Sequence, residues 1–152
     1  MTAKNKVIRL DDEDFKTLSM SDWWTMREPA LAELKEVVEK ERDKDGDKVT
    51  EQLNELTTWL SYSADLLAEA SSLYDFYYGS AVKGYLDKDY DTSPARDMAK
   101  ADVSGIVKVL KELDRRNAAL VHTIDAARSQ LSYQKTILNN LNYSSGRKGE
   151  KQ

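Results

Sequence analysis

Residues 93–142 read SPARDMAKADVSGIVKVLKELDRRNAALVHTIDAARSQLSYQKTILNNLN. After the Ser93-Pro94 opening, apolar residues recur at alternating steps of four and three. They are Ala99, Val103, Ile106, Leu110, Leu113, Leu120, Ile124, Ala127, Leu131, Leu138 and Leu141, with Asn117 and Gln134 as the polar members of the series. That alternation keeps one stripe facing a partner helix and is the seam of a left-handed coiled coil. Sustained this far, it predicts one helix from Ser93 to Asn142, roughly 70 Å long, with Ser93 as cap and Pro94 in the first turn.

The partner lies upstream. Val49, Leu53, Leu56, Leu60, Ser63, Leu67, Ala70, Tyr74, Tyr77 and Ala81 follow the same rhythm, which predicts a second helix over about 49–84, roughly 50 Å long. Folding the chain back near Tyr90 pairs the two series layer by layer. Tyr77 meets Val103, Ala70 meets Leu110, Leu60 meets Leu120, and Val49 meets Leu131. The polar pair Ser63 and Asn117 falls in one layer, where it costs stability and can fix register. The expected fold is all-α: a long antiparallel coiled-coil helical hairpin with a shorter N-terminal helix.

That shorter helix is expected at about 29–42. Thr25 with Glu28 has the spacing of a capping box, Pro29 suits a first turn, and Leu31, Leu34, Val37 and Val38 make a one-sided stripe. Trp23 and Trp24 precede it and are expected to staple it onto the hairpin. Residues 1–20 read as a flexible arm, 21–143 as the helical domain, and 144–152 as a disordered basic tail. Beside its seam, the second helix carries another stripe at Trp59, Tyr62, Leu66, Leu73 and Phe76. A helix beginning at Pro29 is too short to cover all of it, and the uncovered part points to an oligomer interface, so Trp59, Tyr62, Leu66 and Leu73 are expected to lie under another subunit or under this first helix. Ile137 joins them, since the last helix outruns its partner.

Composition narrows the functional classes. The chain has 152 residues, a third of them charged, with a net charge of −4, no cysteine and one histidine. The length suits one domain. No thiol nucleophile or disulfide framework is available, and His122, off the seam, is the one candidate imidazole base. Asp43, Asp45 and Asp47 around Gly46 fall short of a calcium loop, because no Glu stands in the closing position. No Gly-rich phosphate loop or spaced metal cluster appears. We expect no enzyme activity, no cofactor and no bound metal. The charged start lacks the apolar core of a signal peptide and no run is long enough to span a bilayer, so a cytoplasmic protein is expected.

The hairpin tip concentrates the aromatic residues. Tyr74, Phe76, Tyr77, Tyr78, Tyr85 and Tyr90 lie there with Lys83, Lys88, Arg96 and Lys100, interleaved with Asp87, Asp89, Asp91 and Asp97. Aromatic rings beside cations can stack bases and hold phosphates. The same residues can also simply close a hairpin, with charges that balance. Lys108, Lys111, Arg115, Arg116 and Arg128 make a rival basic surface, or a solvated face paired to acids at helical spacing.

Trp59-Leu60, then Tyr77-Tyr78-Gly79, a polar loop, and a long helix with Asp125-Ala126-Ala127-Arg128 and Lys135 form an ordered set. The pattern, spread over residues 31–138, resembles the phage recombination-mediator proteins of the UvsY type. The resemblance implies a small helical homo-oligomer in the cytoplasm of an infected cell. It implies single-stranded DNA binding, partnership with a recombinase or single-strand-binding protein, and loading of a RecA-like recombinase. It places DNA near Tyr77-Tyr78-Gly79, where Asp75 and Ser80 stand in place of flanking cations; the tip's own candidates for DNA are Tyr78, Lys83, Lys88, Arg96 and Lys100. The alternative is a structural or adaptor hairpin, such as a phage assembly component, that binds only proteins.

Overall fold

The computed structural model describes residues 10, 14 and 17–146. The chain forms α1 (Met20–Glu39), α2 (Gly46–Leu86), α3 (Thr92–Asp102) and α4 (Ser104–Gly146), with no strand among the described residues. The all-α antiparallel hairpin is therefore as the heptads predict. Its register is visible at Ser63, whose hydroxyl donates to Asn117 Oδ1 at 3.0 Å. At the open end, Gln134 Nε2 donates to the Lys44 carbonyl at 2.9 Å, and a Cβ added to Gly46 would lie 2.8 Å from Gln134 Oε1. Glycine thus lets the start of α2 close on the α4 amide.

The first helix begins nine residues earlier than expected. Ser19, not Thr25, is its cap: Ser19 Oγ accepts from the Asp22 backbone N–H and donates to Asp22 Oδ2 at 2.6 Å. Pro29 lies inside α1, on its exposed side. A proline there removes one backbone hydrogen bond, and burial of Trp23, Leu31, Leu34 and Val37 on the opposite face offsets that loss. Asp43 and Asp45 serve the start of α2: Asp45 accepts from the Asp47 N–H and Asp43 Oδ1 from the Asp45 N–H.

The packing of α1 corrects the oligomer-interface reading. Trp59, Tyr62, Leu66 and Leu73 are buried within one chain, in the core cluster that holds Trp23, Ala30, Leu34 and Val37 of α1 together with Leu113 and Leu120 of α4. α1 runs antiparallel to α2, with Lys40 paired to Glu55 and Arg27 to Glu69, so Trp59, Tyr62 and Leu66 lie along its expected part and the extension to Met20 brings Trp23 to the level of Leu73. Ile137 differs: it stays 39% exposed on α4.

The last helix is also not continuous. Val103 interrupts it with φ −93° and ψ 9°, and the Ile106 N–H donates to the Val103 carbonyl at 3.0 Å, a one-residue tightening of the spiral. The buried positions change size here, from Ala95 and Ala99 to Val103 and Ile106. Small side chains let two helices approach and large ones hold them apart, and the interruption coincides with that change. α3 starts at Thr92, with Asp91 rather than Ser93 at the cap.

The expected arm, residues 1–20, lies largely outside the described residues, although Leu10 and Leu18 pack on the core. The helix runs beyond residue 144, the expected start of the tail, to Gly146, and residues 147–152 lie outside the described residues. Among the described residues no helix is long and apolar enough to cross a membrane.

Candidate functional site

The tip is built by the end of α2, the turn after it and α3. α2 stops in a turn that satisfies its last carbonyls. The Tyr90 N–H donates to the Tyr85 carbonyl at 3.3 Å, the Asp89 N–H donates to the Leu86 carbonyl at 3.0 Å, and Asp89 sits at φ 61°. These two bonds around a left-handed residue are a Schellman motif, with Asp89 where glycine is usual. Its apolar clasp is the edge-on contact of Tyr85 and Tyr90, ring centres 5.8 Å apart.

Four tyrosines of the tip have distinct jobs. Tyr77 donates its hydroxyl to the Leu18 carbonyl at 2.6 Å and so ties the segment before α1 to the hairpin. Tyr85 donates to Asp102 Oδ2 at 2.8 Å, joining α2 to the end of α3; that hydrogen bond raises the Tyr85 pKa above its ordinary value. Tyr74 and Tyr78, one turn apart, lie half-buried with rings parallel to within 3° and centres 5.6 Å apart. Steps of four and seven place Tyr74, Tyr78 and Tyr85 along one face of α2.

Of the candidate cations Lys88 is the one seen against this face, while Lys83, nine positions after Tyr74, falls on the opposite side of α2. Lys83, Lys88, Arg96 and Lys100 are all exposed. Lys88 Nζ lies 5.7 Å from the centre of the Tyr85 ring, a cation–π contact. Lys100 is drawn 3.3 Å from Asp97, an exposed pair of little strength. Arg96 and Lys100 are one turn apart on α3, so they share a side of it.

The rival basic surface on α4 is engaged in structure. Glu112 accepts from Arg115 at 2.6 Å and from Arg116 at 2.8 Å, and these two bonds hold its carboxyl below the usual carboxylate range. Arg116 also donates to the Leu31 carbonyl at 2.7 Å, which pins α4 to α1. Arg128 pairs with Asp125 at 3.6 Å. This face matches the reading of acids and bases at helical spacing.

Sequence reasoning missed a buried ionic cluster. Arg27 donates to Glu69 through Nε at 2.9 Å and Nη2 at 2.7 Å, and Trp23 Nε1 donates to Glu69 Oε2 at 3.1 Å. Arg27 and Glu69 are both buried. The available signal was the stripe Trp59, Tyr62, Leu66, Leu73, whose rhythm passes through Glu69. Burial raises the neighbouring Tyr62 phenol above its ordinary pKa, with the Arg27 charge opposing. Also unforeseen is an apolar groove of about 200 Å³ between α1 and α4, floored by Leu31, Val109 and Leu113 and walled by Trp24.

Among the described residues no three acidic or histidine side chains gather as a cation site. Comparison of the chain with models of known families, with curated proteins and with solved structures gives no match.

Proposed function

We propose that this chain is a recombination mediator that holds single-stranded DNA at its tyrosine-bearing tip and helps load a RecA-like recombinase in the cytoplasm of a phage-infected cell. The observation that carries the reading is the line of Tyr74, Tyr78 and Tyr85 on one face of α2, with Lys88 over the Tyr85 ring and exposed Lys83, Arg96 and Lys100 elsewhere on the tip. Ring faces accept any base, and cations follow the phosphates, so the site would bind strands with little sequence preference. Asp87, Asp89, Asp91 and Asp97 weaken each contact, and several copies acting on one strand restore affinity through effective concentration. The reading assigns no catalysis to the chain and calls for no cofactor.

Anisotropy of a labelled oligonucleotide tests it. Binding is expected at low salt and should fall steeply as salt rises, because neutralised phosphates release counterions. Tyr78→Ala should cost about 1–3 kcal/mol if the ring stacks a base. Lys83→Glu with Arg96→Glu should abolish binding. No change in anisotropy at low salt with protein in excess rules out the mediator reading.

A second reading has its own observation. Tyr133 and Leu138 are 68% and 61% exposed on α4, which suits an adaptor hairpin whose ligands are proteins only. It is favoured if protein partners bind the chain while single-stranded DNA does not.

A further inference from the structure

Two surfaces at opposite places on the molecule are complementary. The first is the end of α4. The hairpin layer of Gly46 and Gln134 is where α2 begins, yet α4 runs on to Gly146. Its exposed apolar side chains there include Tyr133, Ile137 and Leu138. Residues 129–146 hold a single charged residue, Lys135, in a chain that is one-third charged. A helix end without ion pairs at helical spacing and with an apolar stripe gains little stability standing alone in water.

The second surface is the groove between α1 and α4. Its floor is apolar, Leu31, Val109 and Leu113, and Trp24 on its wall is 43% exposed. It continues into a trough past Val38 and Ala119. Its rim is charge-balanced: on the α4 side Glu112 is already satisfied by Arg115 and Arg116, and on the α1 side Lys35 lies between Glu28 and Glu39 in sequence. An almost uncharged helix can enter such a groove without stranding an opposite charge. The helix end fits within the wall: residues 135–146 rise about 16 Å and the wall from Trp24 to Val38 about 21 Å at about 1.5 Å per residue.

The end of α4 cannot reach this groove in its own chain, because the same helix forms the groove's floor at Val109 and Leu113 and runs away from it. We infer that the α4 end of one copy docks in the α1–α4 groove of a second copy. The contact joins two different surfaces, so it repeats: copies link head to tail into a closed ring or an open filament, not a two-fold pair. This assembly goes beyond DNA binding and does not depend on it.

Sedimentation or light-scattering mass of the full chain and two variants tests it. Ile137→Asp with Leu138→Asp removes the inserting end, and Ala32→Arg, on the exposed lining of the groove, blocks the receiver. The wild-type chain should assemble and each variant alone should be monomeric, with helicity retained. Mixed in equal amounts, the variants should form dimers, since one end and one groove remain intact between them. An Ala32→Arg chain that assembles like wild type overturns the inference, as that is the behaviour of ends pairing with ends. A mixture that stays monomeric, or a wild-type chain monomeric at every concentration, overturns it equally. Trp24→Ala is the control should Ala32→Arg fold poorly: it removes the exposed wall and should raise the concentration needed for assembly at least tenfold, and an unchanged concentration counts against the groove.

Discussion

Arg27 and Glu69 are buried charged side chains held by several hydrogen bonds. They lie forty-two positions apart, on α1 and α2, and form a two-pronged pair whose carboxylate also accepts from the buried Trp23 indole. Taking both charges out of water costs several kcal/mol, so the pair does little for net stability against an apolar replacement. Its effect is on register: sliding α1 by one turn along α2 would part the Arg27 guanidinium and the Trp23 indole from the Glu69 carboxylate. The resulting prediction is a double-mutant cycle. Glu69→Leu strips the buried Arg27 of this carboxylate and the Trp23 N–H of its acceptor, and should cost about 3–5 kcal/mol. Arg27→Met should cost a similar amount, while the double variant should cost far less than the two together. Urea unfolding followed by far-UV circular dichroism reads all four corners. Additive losses would mean the pair is not coupled. Half of this was legible in the sequence: Glu69 stands in the rhythm of Trp59, Tyr62, Leu66 and Leu73, an acid at a position of an apolar stripe. Its partner was not legible, because an ion pair between distant helices has no period.

Helix ends decide how the elements meet, and they divide into those the sequence reveals and those it does not. The turn after α2 is one place where a substitution can be argued cleanly. Asp89 holds a left-handed conformation, which aspartate tolerates better than most residues but less well than glycine. Asp89→Gly should therefore raise the unfolding free energy, by up to about 1 kcal/mol. Asp89→Val should lower it, since a β-branched residue is strained there. A thermal melt in which the glycine variant is the less stable of the two would contradict the geometry. The hairpin itself was legible because a heptad seam states both its face and its register. Ser63 and Asn117 are the polar members that two seams must bring to one layer, and they hydrogen-bond. The interruption at Val103 was not legible, because Val103 is itself a seam residue and the rhythm passes through it intact. Nor was the start of α1. Thr25, Glu28 and Pro29 imitate a helix start, whereas Ser19 and Asp22 form the actual cap. Those nine residues carry Trp23 to the level of Leu73, while Trp59, Tyr62 and Leu66 face residues of the expected helix, whose docking along α2 no period in the sequence states. The tip cluster of Tyr78, Lys83, Lys88, Arg96 and Lys100 was legible as composition. Its pairing of Tyr74 with Tyr78 follows from their one-turn spacing, whereas the Tyr85–Asp102 bond depends on a corner that seam rhythm does not describe.

Across the whole molecule the core is concentrated in the middle. Trp23, Leu34, Trp59, Leu66, Leu73, Leu113 and Leu120 belong to one cluster that unites α1, α2 and α4. Towards the tip the buried residues of α3 are only Ala95 and Ala99, and past Gln134 the side chains of α4 described to residue 142 are exposed. Local opening costs least where few apolar contacts are lost, so stability should grade from the centre outward. Amide hydrogen exchange on dilute protein should show the strongest protection over 59–73 and 113–124, weaker protection in α3, and the weakest beyond residue 135. Raising the concentration should then change one region above others. If the α4 end enters the groove of another copy, residues 135–142 and the exposed face of α1 around Trp24 and Ala32 should gain protection together. The tip, which lies outside that joint, should exchange at its former rate. Protection gained by the α4 end without α1 would point to end-to-end pairing. Equal protection along all of α4 in dilute protein would mean that the graded core is not what holds the helices.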